Sequence, residues 1–236
     1  MKIRTLHSWD LSYAEARAVQ TRLAGQVEFV SFRPKEPFLA AGLDCAFSER
    51  GVKNQEHGQD AHATVIAAVV VVRIPGFEVV ETADAAVAVT FPYIPGLLSF
   101  REAPACIAAI KKLKAKPDLI IVDGQGVAHP RRLGIAAHLG LILDCPTIGC
   151  AKSRLIGEYG TPGINKGAYT SLTDKNEIIG AVVRTRRNVK PVYVSVGNKC
   201  LLEDAVELTL RCTTKYRLPE PTRLAHQLVT RLKTSP

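Results

Sequence analysis

The chain has 236 residues, an apolar content of 47% and a formal net charge of +9. This composition is that of an ordinary globular protein and argues against a largely disordered chain, and the length favours a single domain over residues 1–236. The excess of lysine and arginine raises the expectation of a polyanionic partner such as a nucleic acid. The apolar run 63–72 is too short to span a bilayer, so no membrane partner is expected.

The cysteines and the amino terminus indicate where the protein works. No C-x-x-C pair is present, and the cysteines lie mostly in apolar runs, which predicts free buried thiols in a reducing compartment. Residues 1–7 contain no apolar segment of a secretory signal. We therefore expect a cytoplasmic protein, without disulfides or a zinc site. The six cysteines are Cys45, Cys106, Cys145, Cys150, Cys200 and Cys212.

The first part of the chain predicts one helix followed by three strands. Residues Ser12–Leu23 have the periodicity of an amphipathic helix, with Ser8 or Ser12 as its cap. An antiparallel meander follows, with a turn at Pro75-Gly76. Its predicted strands are Phe38–Phe47, Ala61–Ile74 and Phe77–Ala83.

The rest of the chain alternates predicted helices and strands. The β-branched run Leu119–Asp123 is typical of a central parallel strand. The order as a whole predicts an α/β protein with a mixed sheet. The remaining elements are helices at Pro104–Leu113, Pro130–Leu139, Lys199–Arg211 and Pro219–Leu232, and strands at Thr147–Cys150 and Pro191–Val196.

A stiff loop precedes the second helix. Pro92 and Pro95 bracket Tyr93 and Ile94, and proline fixes the backbone and removes a donor. Such a loop can hold an aromatic ring toward a partner with little loss of entropy on binding. The alternative is a surface turn whose tyrosine packs against the protein.

Three acids occupy related positions. Asp44 lies inside the first strand, Glu102 at the predicted start of a helix, and Asp123 at the end of a parallel strand. If the first and fourth strands are neighbours, the two aspartates lie side by side with Glu102 above them. Three such carboxylates repel one another unless a divalent cation binds them, and hard oxygen ligands favour Mg²⁺ or Mn²⁺. The sequence therefore predicts a metal site able to activate water for phosphodiester hydrolysis.

Basic residues follow the acids along the chain. Lys152 comes directly after a predicted strand, from which it could reach the metal site and a scissile phosphate. The other candidates for phosphate contacts are Arg131, Arg132, Arg154, Lys166, Arg184, Arg186 and Arg187. A solvated basic face is the simpler interpretation of residues 184–187.

The turn Gly124–Gly126 fails the dinucleotide-binding pattern, because His129 stands where that pattern requires glycine. Close approach of the backbone to another group explains the glycines better, since a side chain would block it. His129 itself is expected to be structural.

Five segments resemble the endonuclease V family, the deoxyinosine 3′ endonucleases within the ribonuclease H-like nucleases. They extend over most of the chain, and the second and third are highly specific, whereas 3–36 and 175–190 contribute little. The segments are G-L-D-C-A-F at Gly42–Phe47, F-P-Y-I-P-G-L-L-S-F-R-E at Phe91–Glu102, I-V-D-G-Q-G-V-A-H-P-R-R at Ile121–Arg132, A-K-S-R-L-I-G at Ala151–Gly157 and P-T-R-L-A-H at Pro221–His226.

The resemblance implies a ribonuclease H-like sheet, three antiparallel strands followed by parallel strands, flanked by helices. It implies that Asp44, Glu102 and Asp123 bind the catalytic Mg²⁺, for which Mn²⁺ can substitute. His226 would assist at the metal or its water, and Lys152 would contact phosphate. Residues Pro92, Tyr93, Ile94 and Pro95 would form a wedge beside the lesion. Gly96, Leu98, Gly124, Gly134, Ile135 and Gly149 would line a pocket for the extruded hypoxanthine.

The implied reaction is hydrolysis of the second phosphodiester bond 3′ to deoxyinosine by a monomer, leaving 5′-phosphate and 3′-hydroxyl ends. Base extrusion costs a few kcal/mol, and an inserted side chain offsets part of that cost. Inosine-containing RNA is a second candidate substrate. Two other functions are considered: a resolvase- or transposase-type nuclease on the same fold, and a damage-binding module without catalysis.

Overall fold

Eight strands form one mixed sheet in the computed structural model, which describes residues 3–48 and 63–234. The strand order is β3-β2-β1-β4-β5-β8-β7-β6. The strands are β1 (Phe38–Ser48), β2 (Thr64–Ile74), β3 (Glu78–Ala88), β4 (Leu119–Val122), β5 (Thr147–Ala151), β6 (Tyr169–Asp174), β7 (Glu177–Val183) and β8 (Val192–Asn198). The helices are α1 (Tyr13–Ala24), α2 (Leu98–Lys111), α3 (Ile135–Leu143), α4 (Leu202–Arg211) and α5 (Glu220–Thr234).

The sheet confirms the predicted fold class. Strands β1, β2 and β3 pair antiparallel, and β4 and β5 continue the sheet in parallel with β1. The other half differs from the simple expectation, because β8, β7 and β6 all pair antiparallel. Of the predicted strand Ala61–Ile74, the first two residues lie outside the described part of the chain.

Core residues alternate along β4 between the two faces of the sheet. Leu119 and Ile121 pack in one hydrophobic cluster with Ala225 of α5. Ile120 and Val122 pack in the other with Cys106 of α2. Because successive side chains of a strand point to opposite faces, this one strand supports both layers and places α2 and α5 on opposite sides of the sheet.

The capping of α1 agrees with the sequence. The Ser12 hydroxyl accepts a hydrogen bond from Glu15 N at 3.3 Å, and the Glu15 carboxylate accepts one from Ser12 N at 2.8 Å. This reciprocal pair is a capping box, and of the two predicted caps Ser12 is the correct one.

Two predicted helix starts were wrong. Helix α2 begins at Leu98 and contains Pro104, although proline was expected in its first turn. Helix α3 begins at Ile135 rather than Pro130, because Arg132 has φ +56°, which a right-handed helix cannot accommodate. Proline therefore marked the right regions but the wrong first residues.

Six cysteines are free, and Cys45 alone among them is not fully buried. Within the described residues, no helix is long and apolar enough to cross a membrane.

Candidate active site

Asp44 and Asp123 lie at the same level on neighbouring strands. Leu43 of β1 pairs with Val122 of β4 in parallel register, and Asp123 N donates to Leu43 O at 2.9 Å. The next residue on each strand is therefore an aspartate, as the sequence predicted for adjacent strands. Asp44 is 9% exposed. Its burial and the negative charge of Asp123 raise the pKa of its carboxyl.

Helix α5 carries His226 to this pair. A Cβ on Gly42 would lie 1.9 Å from the backbone carbon of Pro221, so glycine permits the helix to lie directly on β1. Further along the same helix, His226 Nδ1 donates to Asp44 Oδ2 at 2.7 Å. The P-T-R-L-A-H segment thus supplies both the close contact and the imidazole.

Glu102 approaches from α2 on the other face of the sheet. It is the fifth residue of the helix, not its first as expected. Burial raises the pKa of its carboxyl to about 8, and the negative charges of Asp44 and then Asp123 add to the rise. A buried carboxyl with a raised pKa is stabilised in its ionised form only when a positive charge lies close to it.

These donors fit a hard divalent cation. Within the described residues, ligand atoms of Asp44, Asp123 and His226 all lie within 4.8 Å of one another. Glu102 is not in that group, although its carboxyl interacts electrostatically with both aspartates. Two largely buried carboxylates, with the acid Glu102 beside them, supply the hard oxygen donors that Mg²⁺ or Mn²⁺ prefers. The residues present therefore fit the predicted metal.

Lys152 lies at the same site. It follows β5, and its Nζ forms an ion pair with Asp123 Oδ2 and lies 3.5 Å from His226 Nδ1. Arg217 donates a hydrogen bond to the Lys152 carbonyl oxygen at 2.7 Å, and this bond holds the backbone of Lys152 in place. A positive charge is thus placed beside the acids, as the sequence predicted.

A cavity of about 430 Å³ opens next to the acids. Most of the predicted wedge and pocket residues line it: Tyr93, Ile94, Pro95, Gly96, Leu98, Gly124, Gly134 and Ile135. Asp123 and Lys152 line it as well. Its volume is in the range of small-molecule sites, which suits a single purine base. One cavity therefore joins the proline-bracketed loop to the acidic cluster, by which we mean Asp44, Glu102 and Asp123.

Two predicted residues lie elsewhere. Pro92 is exposed but is not among the residues that line the cavity. Gly149 lies behind the wall: a Cβ there would be 2.4 Å from Gly126 N and 2.7 Å from Gly124 O. Its small size lets β5 pack against the Gly124–Gly126 turn, so it shapes the cavity without lining it.

The loop is anchored at its base and exposed at its tip. Gly96 has φ +79°, and its carbonyl accepts hydrogen bonds from Gln20 Nε2 at 3.0 Å and from Arg131 Nη2 at 2.7 Å. Tyr93 is 66% exposed. The alternative in which this ring packs against the protein is therefore excluded.

Several predicted phosphate contacts are instead internal. Arg131 is bound to Gln20 and Gly96, and Arg132 pairs with Glu177 at 2.8 Å. Arg184 donates to three carbonyls, including Val189 O. Such guanidinium groups position loops rather than bind a ligand. Arg186 and Arg187 are exposed, which agrees with a solvated basic face.

His129 is hydrogen-bonded within its own turn, which agrees with the structural role expected of it. Its Nδ1 accepts from Arg131 N at 3.2 Å. Burial and the positive charge of Arg131 lower its pKa to about 4, so the ring is neutral at neutral pH. It nonetheless lines the cavity, together with Gln20, Ser99 and Gln125, which the sequence did not single out. Their partners lie 28 to 113 positions away, for example Gln20 with Leu133 O and Gln125 with Ser153 O, so no local signal could reveal them.

Comparison with known proteins agrees with this geometry. The sequence profile of the Endonuclease V family matches residues 21–227. The chain belongs to the endonuclease V family. A curated Endonuclease V from Gloeobacter violaceus is 52% identical over 222 residues, which are 94% of this chain and 86% of the relative. Family membership confirms the predicted resemblance.

Solved structures of the family superpose closely. The endonuclease V of Bacillus subtilis matches with a TM-score of 0.89 at 32% identity, over 99% of this chain and 98% of that one. The endonuclease V of Ciona intestinalis matches with a TM-score of 0.75 at 28% identity, over 93% of this chain and 96% of that one. That Ciona protein was crystallised in complex with a 24mer DNA containing an inosine followed by a ribo-adenosine.

Proposed function

We propose that this protein is an inosine-specific repair endonuclease. It recognises deoxyinosine in DNA and hydrolyses the second phosphodiester bond 3′ to that nucleotide, leaving 5′-phosphate and 3′-hydroxyl ends. The observation that carries the proposal is the cavity shared by Tyr93 and Asp123, which joins a base-sized space to the acidic cluster. The inosine-containing DNA bound by the Ciona relative supports the choice of base.

Asp44, Glu102 and Asp123, with His226 beside them, would hold Mg²⁺, and Mn²⁺ has the same ligand preference. A divalent ion there, when bound, supplies charge neutralisation for the carboxylates and acidity for a water molecule. The raised pKa values of Asp44 and Glu102 support this assignment, because the protein has built a site whose full ionisation requires added positive charge.

The side chains of this site have different roles. Asp44 accepts a hydrogen bond from His226 Nδ1–H and so fixes the orientation of the imidazole. Lys152 brings a positive charge to the edge of the cavity, where it can neutralise a phosphate oxygen of the scissile bond. Leaving-group and nucleophile oxygens both carry negative charge in phosphodiester hydrolysis, so a fixed ammonium lowers the barrier by electrostatic stabilisation.

The loop of Pro92, Tyr93, Ile94 and Pro95 acts as the wedge. Its exposed ring takes the place of the extruded base in the stack, and the anchored Gly96 keeps the tip rigid. Unpairing costs least at a mispaired base, so extrusion itself favours the deaminated nucleotide. Recognition takes place in the cavity while cleavage takes place at a neighbouring phosphate.

Three further parts of the proposal concern substrate range and assembly. Single-stranded inosine-containing RNA is a second substrate, because base extrusion there requires no unpairing. The protein acts as a monomer, and residues 1–236 form one nuclease domain, since the two largest hydrophobic clusters pack on the two faces of one sheet.

The decisive experiment uses duplex DNA containing one deoxyinosine, with Mg²⁺. We expect the wild-type protein to nick the inosine strand at the second bond on the 3′ side, and Asp123→Asn to lose most of this activity. Glu203→Gln, which alters an exposed carboxylate in α4, is the matched control and should keep it. Cleavage by Asp123→Asn at the wild-type rate contradicts the assignment of the site. Preference for a four-way junction over the inosine duplex favours a resolvase instead.

A further inference from the structure

A chain of four groups joins the N-terminal segment to the wall of the cavity. His7 Nδ1 lies 2.6 Å from the Ser8 carbonyl oxygen, and His7 Nε2 lies 2.7 Å from His138 Nε2. On the far side of that ring, His138 Nδ1 lies 3.1 Å from Ser99 Oγ. His138 is completely buried, and Ser99, at 3% exposed, lines the cavity.

When both histidine rings are neutral, the hydrogen bonds of this chain can run in only one donor-to-acceptor direction. A carbonyl oxygen only accepts, so the His7 Nδ1 must carry the proton, and its Nε2 is left as an acceptor. His138 must then donate from Nε2, which leaves its Nδ1 as an acceptor. Ser99 must donate its hydroxyl proton to that nitrogen.

Surrounding groups keep both rings neutral. His138 is packed against Trp9 and Phe100, with ring centroids 5.6 and 5.0 Å away. Burial lowers the pKa of His138 to about 3, and burial with the charge of Arg22 lowers the pKa of His7. At neutral pH the direction of the chain is therefore fixed.

We infer that Ser99 is a specificity-determining residue that accepts a hydrogen bond from the N1–H of the extruded purine. Its only proton is directed away from the cavity, so the hydroxyl offers lone pairs alone to a ligand. His7 and His138 are positioning residues that fix this polarity through the ring tautomers. The inference rests on the proposed function and adds to it the group that distinguishes the base.

This polarity matches hypoxanthine and not adenine. An extruded base is recognised through hydrogen bonds to its Watson–Crick edge, and hypoxanthine presents a proton on N1 where adenine presents a lone pair. With adenine, a lone pair of the Ser99 hydroxyl would face the lone pair on N1. Both groups would then be desolvated without a hydrogen bond, and a mismatch of this kind rejects a ligand strongly. The site thereby distinguishes hypoxanthine from adenine, the base that gives rise to it by deamination.

The substrate test compares two duplexes that differ in one base. One contains deoxyinosine, and the other contains deoxynebularine, a purine without the N1 proton or the exocyclic oxygen. We expect Ser99→Ala to lower kcat/KM for deoxyinosine by about tenfold or more, the size of a lost buried hydrogen bond, and to leave or raise it for deoxynebularine. Ser171→Ala, an exposed serine of β6, is the control and should change neither. An unchanged ratio between the two substrates in Ser99→Ala overturns the inference.

The second test measures the tautomer and does not depend on activity. Nitrogen NMR of the histidine rings, with the His138 signals assigned by their loss in His138→Gln, should show wild-type His138 protonated at Nε2. In His7→Leu the acceptor is gone, so we expect His138 to populate the Nδ1–H form and the discrimination ratio to fall. Wild-type His138 protonated at Nδ1 overturns the inference. Failure of the wild-type protein to cleave inosine DNA, with the Nε2–H form observed, contradicts the proposed function instead.

Discussion

His226 Nδ1 lies 2.7 Å from Asp44 Oδ2, although 182 positions separate the two residues in the chain. The contact depends on Gly42, where α5 lies directly on β1, and it places an imidazole of the last helix beside a carboxylate of the first strand. Burial raises the pKa of Asp44, and the hydrogen bond from His226 opposes that rise. The pair therefore adjusts both the charge and the geometry of the acidic cluster.

Removing this imidazole should weaken metal binding more than folding. For His226→Ala we expect the Mg²⁺ concentration for half-maximal cleavage to rise about 10- to 100-fold, the usual effect of removing a group that orients a ligand. The carboxyl of Asp44 should also be harder to ionise, which moves the rising limb of the pH–rate profile to higher pH. The measurement is a Mg²⁺ titration of single-turnover cleavage at two pH values.

Gln227→Ala is the control for this variant, since it changes the adjacent exposed residue of the same helix. It should leave the Mg²⁺ dependence unaltered. If His226→Ala shows the wild-type Mg²⁺ dependence and pH profile, the imidazole takes no part at the metal site.

The wedge loop gives the second prediction. Tyr93→Ala should weaken binding to an inosine duplex by about tenfold or more, because stacking of an aromatic side chain on a base contributes about 1–3 kcal/mol. Cleavage of already bound substrate should slow much less. Binding is measured by fluorescence anisotropy and the chemical step by single-turnover kinetics, on inosine and undamaged duplexes. Tyr169→Ala, which removes a comparably exposed ring on the edge strand β6, should have no effect. Unchanged discrimination in Tyr93→Ala rules out the wedge.

The acids could be located from sequence because each lies in a distinctive local context. Asp123 follows a β-branched strand, and an acid inside a buried strand, as at Asp44, requires compensation. Their adjacency needed only the assumption that two parallel strands are neighbours, which β1 and β4 are. The shared family segments then supplied His226, for which the chain offers no local signal.

The remainder depends on contacts that sequence patterns do not encode. Pro104 was predicted to start the helix, but it lies inside α2, which tolerates the absence of a backbone N–H at this residue. Strands β6 and β7 were missed because they form an edge hairpin with little apolar alternation, exposed at Tyr169 and Ile178. The pairing of His7 with His138 spans 131 positions and arises only from packing.

Helix packing at Gly42 gives the third prediction. In Gly42→Ala the new methyl group would overlap the backbone of Pro221, and backbone cannot move aside as a flexible side chain can. We expect a loss of about 1–3 kcal/mol in the free energy of unfolding, as for other overpacked sites, and reduced cleavage because His226 is displaced. Gly160→Ala is matched to it, since a Cβ there meets nothing within 4 Å. Urea unfolding of the three proteins checks this, and equal midpoints would show that α5 is not held at Gly42.

The pKa of Glu102 gives the last prediction, for metal-free protein. That pKa is raised to about 8 in the folded state, from 4.5 in the absence of the fold, so between these values the folded state binds more protons than the unfolded chain. Stability must then fall as pH rises through 8. His129 and His138 contribute the opposite slope, but at lower pH, because their pKa values are lowered to about 4 and about 3 from 6.5. Above about pH 8 the buried thiols add a slope of the same sign as Glu102, because the pKa values of Cys145, Cys200 and Cys212 are raised from 9.0 to about 12. Between about pH 7 and 8.5, the difference between the wild type and Glu102→Gln therefore isolates the carboxylic acid.

Urea unfolding in EDTA across that interval should show stability decreasing with pH in the wild-type protein and a flatter profile in Glu102→Gln, which cannot ionise. Mg²⁺ should reverse the wild-type slope, because the ion binds the ionised carboxylate and becomes more tightly bound as the proton leaves. Glu207→Gln, at an exposed acid of α4, should keep the wild-type slope. A Glu102→Gln profile that parallels the wild type in EDTA would place the titrating group elsewhere and separate Glu102 from the metal site.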